Sequence, residues 1–186
     1  TDITLLEVGV DQTVDVIISL PAGSYAGTYS GTITATDDAD ALNTEEIAYE
    51  VTVNVVESFS VDVSELNFDL LADQTEDIDL LITNTGTVDL TSWDFVFTSD
   101  DGDSDFAEDN DDDRVDFSYS ASTDPLTPGS SMTISVTVDA ESDLDEGSYD
   151  GTLKVSTTGL SAVEKDLPVD LTISPSICED GKVGND

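Results

Sequence analysis

The chain has 186 residues, with 43 Asp and Glu against 4 Lys and Arg and no His, so its formal net charge is −39. This scarcity of positive charge excludes nucleic-acid binding by phosphate neutralisation and docking to an anionic membrane, and the lack of His removes imidazole chemistry. Because 38% of the residues are hydrophobic, the chain is not a disordered acidic tail, and its length allows one or two domains. The sequence contains no run of about 18 apolar residues, so it does not predict direct insertion into a membrane.

The charge also indicates a habitat. Mutual repulsion among the carboxylates destabilises a compact state unless molar salt, divalent cations or sugars separate the charges. Only three residues are Lys, while Asp and Thr are abundant. That surface chemistry is typical of halophilic proteins, so we expect a salt-rich or calcium-rich setting.

Alternation of apolar and polar side chains predicts β-strands along almost the whole chain, and no stretch shows the 3.6-residue period of a helix. The predicted core-facing residues are, in chain order, Phe59, Val61 and Val63; Leu66, Phe68 and Leu70; Ile78, Leu80 and Ile82; Trp93, Phe95 and Phe97; Val115, Phe117 and Tyr119; Met132, Ile134, Val136 and Val138; Tyr149, Leu153 and Val155; and Leu167, Val169, Leu171 and Ile173. The carboxylates predicted to face outward are Asp77, Asp79, Asp94, Asp116 and Asp170. About seven short strands in one unit predict an all-β, immunoglobulin-like Greek-key β-sandwich with Trp93 as the largest part of its core.

A self-comparison reveals an internal repeat with an offset of 120 residues. The matching segments are Gly9–Ser19 with Gly129–Asp139, Gly27–Ile33 with Gly147–Leu153, and, after a small length difference, Tyr49–Val55 with Leu167–Ile173. The predicted domains are therefore residues 1–57, the C-terminal part of an immunoglobulin-like domain; 58–174, a complete sandwich; and 175–186, a linker or the first strand of a next unit. The fold is thus predicted as tandem sandwiches whose first copy is incomplete.

Two motifs carry a resemblance to a family. Thr83–Thr91, with the sequence TNTGTVDLT, resembles a turn of bacterial and archaeal immunoglobulin-like surface repeats, which implies that Asn84 and Gly86 reverse the chain because both tolerate positive φ. Asp145–Tyr149 resembles the turn before a tyrosine corner, which implies that Tyr149 caps a loop backbone and that Tyr29 does so in the first repeat.

The chain is thereby similar to the tandem immunoglobulin-like repeats of archaeal cell-surface proteins of S-layer or filament-forming type. The resemblance implies an extracellular protein whose partners are other copies of itself. The role of Cys178 stays open between a free thiol and a bond to another chain, because the sequence has no second Cys.

The most acidic stretch is Asp100–Asp113, in which nine of fourteen residues are Asp or Glu. Its candidate calcium ligands are Asp101, Asp103, Asp105, Asp109, Asp111 and Asp112. The spacing departs from an EF-hand loop, because Phe106 stands where the sharp turn needs Gly and Asp112 replaces the bidentate Glu. Two interpretations stay open: a Ca²⁺-binding loop of another kind, or a solvated, salt-dependent insertion. The smaller cluster of Asp37, Asp38 and Asp40 is predicted to be a solvated turn.

Catalysis has no support in the sequence. A Ser or Thr nucleophile would need a base, and one Cys without any His makes zinc binding improbable. Among 43 carboxylates, some pair always lies at the separation that glycosidases use, so such a pair is no evidence for catalysis. We therefore predict a protein that is not an enzyme and has no cofactor other than Ca²⁺. N-glycosylation sequons are absent, whereas Thr-rich outward faces leave O-linked glycans open.

The incomplete first copy is the sharpest functional clue. A sandwich without its first strands exposes strand edges and apolar side chains, here Val14, Val16, Ile18, Ile33, Val51, Val53 and Val55. Either a longer protein supplies the strands upstream, or a neighbouring subunit donates them and so builds an open filament. The sequence thus predicts a structural protein of a surface layer, stalk or filament. The alternatives are a Ca²⁺-dependent adhesin that uses residues 100–113 and an accessory module of a secreted hydrolase.

Overall fold

A computed structural model describes residues 11–37, 40–99, 106–108, 115–120, 125–141, 146–158 and 162–175. These residues contain strands and connections but no helix, so no described segment forms a helix of the length and hydrophobicity needed to cross a membrane. The strands are β1 (Gly27–Thr36), β2 (Thr44–Val53), β3 (Phe59–Val61), β4 (Leu66–Leu71), β5 (Gln74–Asn84), β6 (Trp93–Ser99), β7 (Phe106–Glu108), β8 (Val115–Tyr119), β9 (Ser131–Ala140), β10 (Gly147–Thr158) and β11 (Ala162–Ser174).

The strands form three sheets. A four-stranded sheet has the order β4-β11-β10-β6, a five-stranded sheet has the order β3-β5-β9-β8-β7, and β1 and β2 form a separate two-stranded hairpin. Most pairs are antiparallel, whereas β4 runs parallel to β11 and β7 runs parallel to β8. The two larger sheets make an immunoglobulin-like β-sandwich, which confirms the predicted fold class.

One apolar core lies between the two larger sheets, because the inward side chains of alternating strands meet there. Its largest fully buried side chains are Leu and Ile residues, among them Leu80, Ile134, Leu153 and Leu171. Trp93 is only partly buried and packs against this core, with its ring edge-on to Phe59 at 5.2 Å between centroids. The prediction that Trp93 forms the largest part of the core is therefore wrong, since this ring lies at the start of β6 on an edge of its sheet.

The acidic side chains lie outside the core, as predicted for Asp77, Asp79, Asp94 and Asp170. The side chain of Asp116 lies outside the described residues. Cations are scarce, and Thr hydroxyls donate to two outward carboxylates across strands: Thr75 Oγ1 lies 2.9 Å from Asp139 Oδ1, and Thr137 donates to Asp77. Neutral donors thus hold part of the outward charge in place.

Two predicted elements turn out differently. Residues 11–20 align with β9 at the 120-residue offset but form no strand: β9 is paired with β5 and β8, whereas no described strand pairs with residues 11–20. Within the acidic stretch, Phe106–Glu108 forms β7 and pairs with β8, so this stretch is not one continuous loop. The six candidate calcium ligands at positions 101, 103, 105, 109, 111 and 112 lie outside the described residues.

The turn between β1 and β2 uses its carboxylates locally. The Leu42 N–H donates to Asp40 Oδ1 at 3.1 Å, and the Asp37 N–H donates to the Asn43 carbonyl at 3.0 Å. The first of these bonds is one that an Asp side chain ordinarily accepts from the backbone of a turn, and the second joins two backbone groups. Asp38, the third member of the cluster, lies outside the described residues.

Candidate functional site: the open hairpin and the module junction

The β1–β2 hairpin has the same strand pairing as β10–β11 in the complete sandwich. Gly27 pairs with Val53 as Gly147 pairs with Ile173, and the equivalence continues along both strands. Residues 49–54 therefore correspond to 169–174 at an offset of 120. The expected length difference before Tyr49 is wrong, because strand pairing places Tyr49 opposite Gly31 and so aligns it with Val169.

What differs between the two hairpins is their surroundings. In the complete sandwich, β4 pairs with the outer edge of β11 and β6 pairs with the outer edge of β10. Among the described residues, β1 and β2 have no further strand beside them. Within the described part of the chain, both edges of this hairpin are therefore unpaired.

One face of the hairpin is apolar and incompletely covered. Tyr29, Ile33, Ile47, Val51 and Val53 share this face. Ile47 is 67% exposed, and the others are half-buried or exposed. The neighbouring segment 11–20 also exposes apolar side chains, namely Val14, Val16, Ile17, Ile18 and Leu20. Both segments therefore expose more apolar surface than the strands of the sandwich.

The hairpin is fastened to the sandwich by one residue of the Thr83–Thr91 turn. The Thr87 N–H donates to the Val56 carbonyl, and the Thr87 carbonyl accepts from the Ala26 N–H at 2.7 Å. The Thr87 hydroxyl accepts from the Val56 N–H and donates to the Asn54 carbonyl, both at 2.8 Å. Because Ala26 precedes β1 and Asn54 follows β2, Thr87 holds both ends of the hairpin. We call this set of bonds the Thr87 junction.

Asn84 supports the turn that carries Thr87. Its side chain is 1% exposed, and its amide nitrogen donates to the carbonyls of Val88 at 2.8 Å and Leu126 at 2.7 Å. Its amide oxygen accepts from the Gly86 N–H at 2.8 Å. A buried polar side chain with all of these bonds fixes the loop conformation without an energetic penalty.

Glycines allow the two units to approach closely. A Cβ on Gly86 would overlap the Val56 carbonyl oxygen, and a Cβ on Gly23 would lie 2.8 Å from the Pro128 carbonyl oxygen. Asn84 and Gly86 are not among the described residues with positive φ, so the expectation that they reverse the chain in that conformation is wrong. Positive φ occurs instead at Gly23 and Gly129, whose backbones meet at the junction.

A side-chain bond spans the same junction. The Tyr25 hydroxyl donates to Asp89 Oδ1 at 2.9 Å, and this hydrogen bond is the main reason why the pKa of Tyr25 lies above its ordinary value. Tyr29 donates its hydroxyl to the Tyr25 carbonyl at 2.7 Å, four residues upstream. Tyr149 packs against the core, and residues 142–145 before it lie outside the described residues.

The TNTGTVDLT motif predicts the turn but not the hydrogen bonds that the turn makes. Thr87, Gly23, Tyr25 and Asp89 were not predicted, although Thr87 and Asp89 lie inside the TNTGTVDLT motif. Among the described residues, no group of three or more Asp, Glu or Cys could hold a metal ion. What the described residues provide is a fixed joint between the hairpin and the sandwich.

No protein-family model matches the sequence, and a search of curated proteins finds no relative. Solved structures match only distantly. They include a PapD-like domain of human CEP192 (14% identity, TM-score 0.43, 62% of this chain and 84% of that one) and the mouse protocadherin PcdhgC3 EC1-3 (14%, 0.44, 81% and 44%). A family 123 glycoside hydrolase from Clostridium perfringens also matches, with 10% identity and a TM-score of 0.40, over 63% of this chain and 27% of that one. The chain thus spans less than half of the last two proteins, and at such scores these likenesses carry no functional argument.

Proposed function

We propose that this chain is a non-enzymatic structural protein of an extracellular surface layer, stalk or filament, assembled from immunoglobulin-like modules in a salt-rich archaeal habitat. The observation that carries the proposal is the Thr87 junction. Two structural units joined by a flexible linker would need no such bonds. Here the chain entering the hairpin and the chain leaving it are both hydrogen-bonded to one loop of the sandwich.

A fixed joint suits a mechanical role. A regular polymer requires each module to hold a constant angle to the next, because angular freedom would blur the repeat. Thr87 uses its backbone and its hydroxyl at once, and Gly86 allows the strand-connecting segment to lie directly on the turn. Force that pulls on either end of the hairpin is therefore passed to the sandwich through several bonds rather than through one.

The acidic faces supply the second part of the mechanism. Outward carboxylates on neighbouring copies repel one another, so lateral contact requires salt or Ca²⁺ to screen or bridge them. The partners in this proposal are other copies of the same protein, and O-linked glycans on the Thr-rich faces would separate the charges further. Assembly would thus respond to ionic strength.

Electron microscopy of the native material tests the proposal. Images in molar salt, with and without a chelator, should show filaments or a lattice with a constant repeat, and dilution of the salt should disperse them. A monodisperse monomer at every salt concentration, by light scattering and microscopy, would contradict the proposal.

A second candidate is a Ca²⁺-dependent adhesin or ligand-binding module. It is favoured by the placement of the acidic stretch 100–113, which runs from the end of β6 and contains β7 at an edge of the five-stranded sheet. Such a segment could present a metal-dependent surface. Calorimetric titration with Ca²⁺ should then give a saturable site that EGTA abolishes.

Matched variants make that titration decisive. Replacing Asp101, Asp103 and Asp105 with Asn should remove the site, whereas Asp37→Asn with Asp40→Asn changes charge in the other acidic cluster and should not. No saturable heat in the wild-type chain, or equal loss in both variants, would contradict a site at this position.

A further inference from the structure

We propose that the sandwich contains a buried water-binding site between β6 and β10. One water molecule accepts a hydrogen bond from Trp93 Nε1 and donates one to Thr157 Oγ1. The site lies inside the complete sandwich, so it depends neither on the hairpin nor on the proposed structural function.

Two orphaned polar atoms mark the site. Among the described residues, the buried side-chain nitrogen and oxygen atoms without a hydrogen-bond partner in the protein are Trp93 Nε1 and Thr157 Oγ1. Buried polar groups in folded proteins are nearly always hydrogen-bonded, either to protein or to ordered water, because a polar group buried without a partner destabilises the fold. Both atoms therefore require a partner that no described protein group supplies.

The strand register places the two side chains next to each other. Trp93 lies directly opposite Thr157 in the antiparallel β6–β10 pair. Trp93 is two residues before the buried Phe95, and Thr157 is two residues after the buried Val155, so both side chains face the core. Directly opposite side chains have Cβ atoms about 4.5–5.5 Å apart, a span that one water crosses with two hydrogen bonds of about 2.8–2.9 Å.

The indole ring is held in place by two aromatic neighbours. The ring of Phe59 meets it edge-on at 5.2 Å between centroids, with an interplanar angle of 71°. The ring of Phe95 stacks on it at 6.5 Å. A ring packed on two sides cannot readily turn its N–H towards solvent, so Nε1 stays buried although Trp93 as a whole is only partly buried.

The chemistry of the two groups selects water as the ligand. An indole N–H only donates a hydrogen bond, whereas a Thr hydroxyl both donates and accepts. A cation cannot accept a bond from the indole, and a net charge of −39 opposes the burial of an anion. A water molecule satisfies both groups and adds no charge.

The hydroxyl of Thr157 makes the site testable. Thr157 is 1% exposed and continues the inward-facing row of Leu153 and Val155. A Val side chain has nearly the same shape and carries no polar atom. If the hydroxyl has no partner, its replacement by a methyl group is neutral or stabilising; if it holds a water for Trp93, the same replacement is destabilising. The sign of the effect therefore decides between the two.

Urea denaturation of Thr157→Val in molar salt, followed by circular dichroism, measures that sign. The proposal predicts a midpoint lower by about 0.5 M, because the indole N–H loses its acceptor together with the water. An unchanged or higher midpoint would overturn it. Thr98→Val is the matched control, because Thr98 is exposed on the outward face of β6, and it should move the midpoint by less than about 0.25 M. An equal fall in this control would also count against the site.

A second background tests whether the two groups share one partner. Trp93→Phe keeps an aromatic ring and removes the indole N–H. In that background, Thr157→Val should no longer lower the midpoint, because no donor is left that needs the water. An equal fall with Trp93 and with Phe at this position would contradict a shared partner.

The water itself is counted by ¹⁷O magnetic relaxation dispersion, which detects long-lived internal water and does not respond to hydroxyl protons. Thr157→Val should contain one long-lived water fewer than the wild type, whereas Thr98→Val should contain the same number. Thr157→Ser keeps a hydroxyl and should keep the water. An equal count in Thr157→Val and the wild type, together with a lowered midpoint, would indicate a direct bond between Trp93 and Thr157 and would overturn the proposal.

Discussion

Replacing Asn84 with Ala should destabilise the sandwich by about 3 kcal/mol. The substitution removes three hydrogen bonds, to the Val88 and Leu126 carbonyls and from the Gly86 N–H. A net contribution of about 1 kcal/mol for each bond gives this figure. Asn84 is 1% exposed, so water cannot readily replace the lost partners.

Asn84→Asp sharpens the test. The carboxylate still accepts from the Gly86 N–H, but it faces two carbonyl oxygens to which the amide had donated. A buried charge that keeps one donor and faces two carbonyl oxygens costs several kcal/mol, so this variant should be at least as unstable as Asn84→Ala at pH 7. Asn43→Ala is the matched control, because Asn43 is exposed and its side-chain bond to Asp37 is long, at 3.4 Å.

Urea denaturation in molar salt measures the effect, with the single Trp, Trp93, as a fluorescent reporter inside the sandwich. With a urea slope of about 2 kcal/mol per molar, a loss of 3 kcal/mol lowers the midpoint by about 1.5 M. A midpoint for Asn84→Ala within about 0.25 M of the wild type would refute the assigned role of this side chain. So would a loss at Asn43→Ala of the same size.

Four further changes test the junction and the charge. Gly86→Ala should loosen the hairpin and destabilise the chain by more than 1 kcal/mol because its Cβ overlaps the Val56 carbonyl, whereas Gly147→Ala, with its nearest contact at 3.9 Å, should change urea stability little. Thr87→Val should raise the hydrogen-exchange rate of the Val56 amide at least about tenfold, since its acceptor is lost, and Thr87→Ser should not. NMR titration should place the pKa of Tyr25 above its usual 10.0, and Asp89→Asn should move it back toward that value. The stabilisation from that bond should be present below pH 10 and disappear as the pH rises through the raised pKa; an unshifted Tyr25 would contradict it. Lowering the salt from molar to about 0.1 M should lower the melting temperature, because the Debye length grows from about 3 to about 10 Å; a rising melting temperature would contradict repulsion as the limiting force.

The sandwich could be predicted because its signal is local and repeated. Ile78, Leu80 and Ile82 alternate with outward-facing residues, and all three turn inward in the structure, with Leu80 and Ile82 fully buried. The period of two fixes which face of a strand is apolar, whatever its partner. It does not fix register, since a shift of two residues leaves the same face inward. That is why residues 49–55 were aligned two positions away from where strand pairing places them.

The sequence motif shows where the junction lies but not which contacts hold it together. TNTGTVDLT marked a turn, and the known tolerance of Asn and Gly for positive φ suggested their role. In the structure Asn84 works through its side chain, and Gly86 is needed because the Val56 carbonyl lies against it. Both contacts involve residues distant in sequence, Leu126 and Val56, which a local motif cannot identify. Trp93 shows the same limit, because its position at a sheet edge follows from strand order.

By itself, the sequence determined the all-β fold, the repeated hairpin pattern, the outward placement of the charge and the presence of apolar side chains in residues 11–55 that this part of the chain leaves exposed. These properties follow from composition and from side-chain period, which need no knowledge of partners. Only the tertiary structure decided that residues 11–20 form no strand and that Thr87 holds both ends of the hairpin. A strand forms only where a neighbouring strand supplies backbone hydrogen bonds, and a joint depends on both of the segments that it connects. Neither can therefore be predicted from one segment of the sequence.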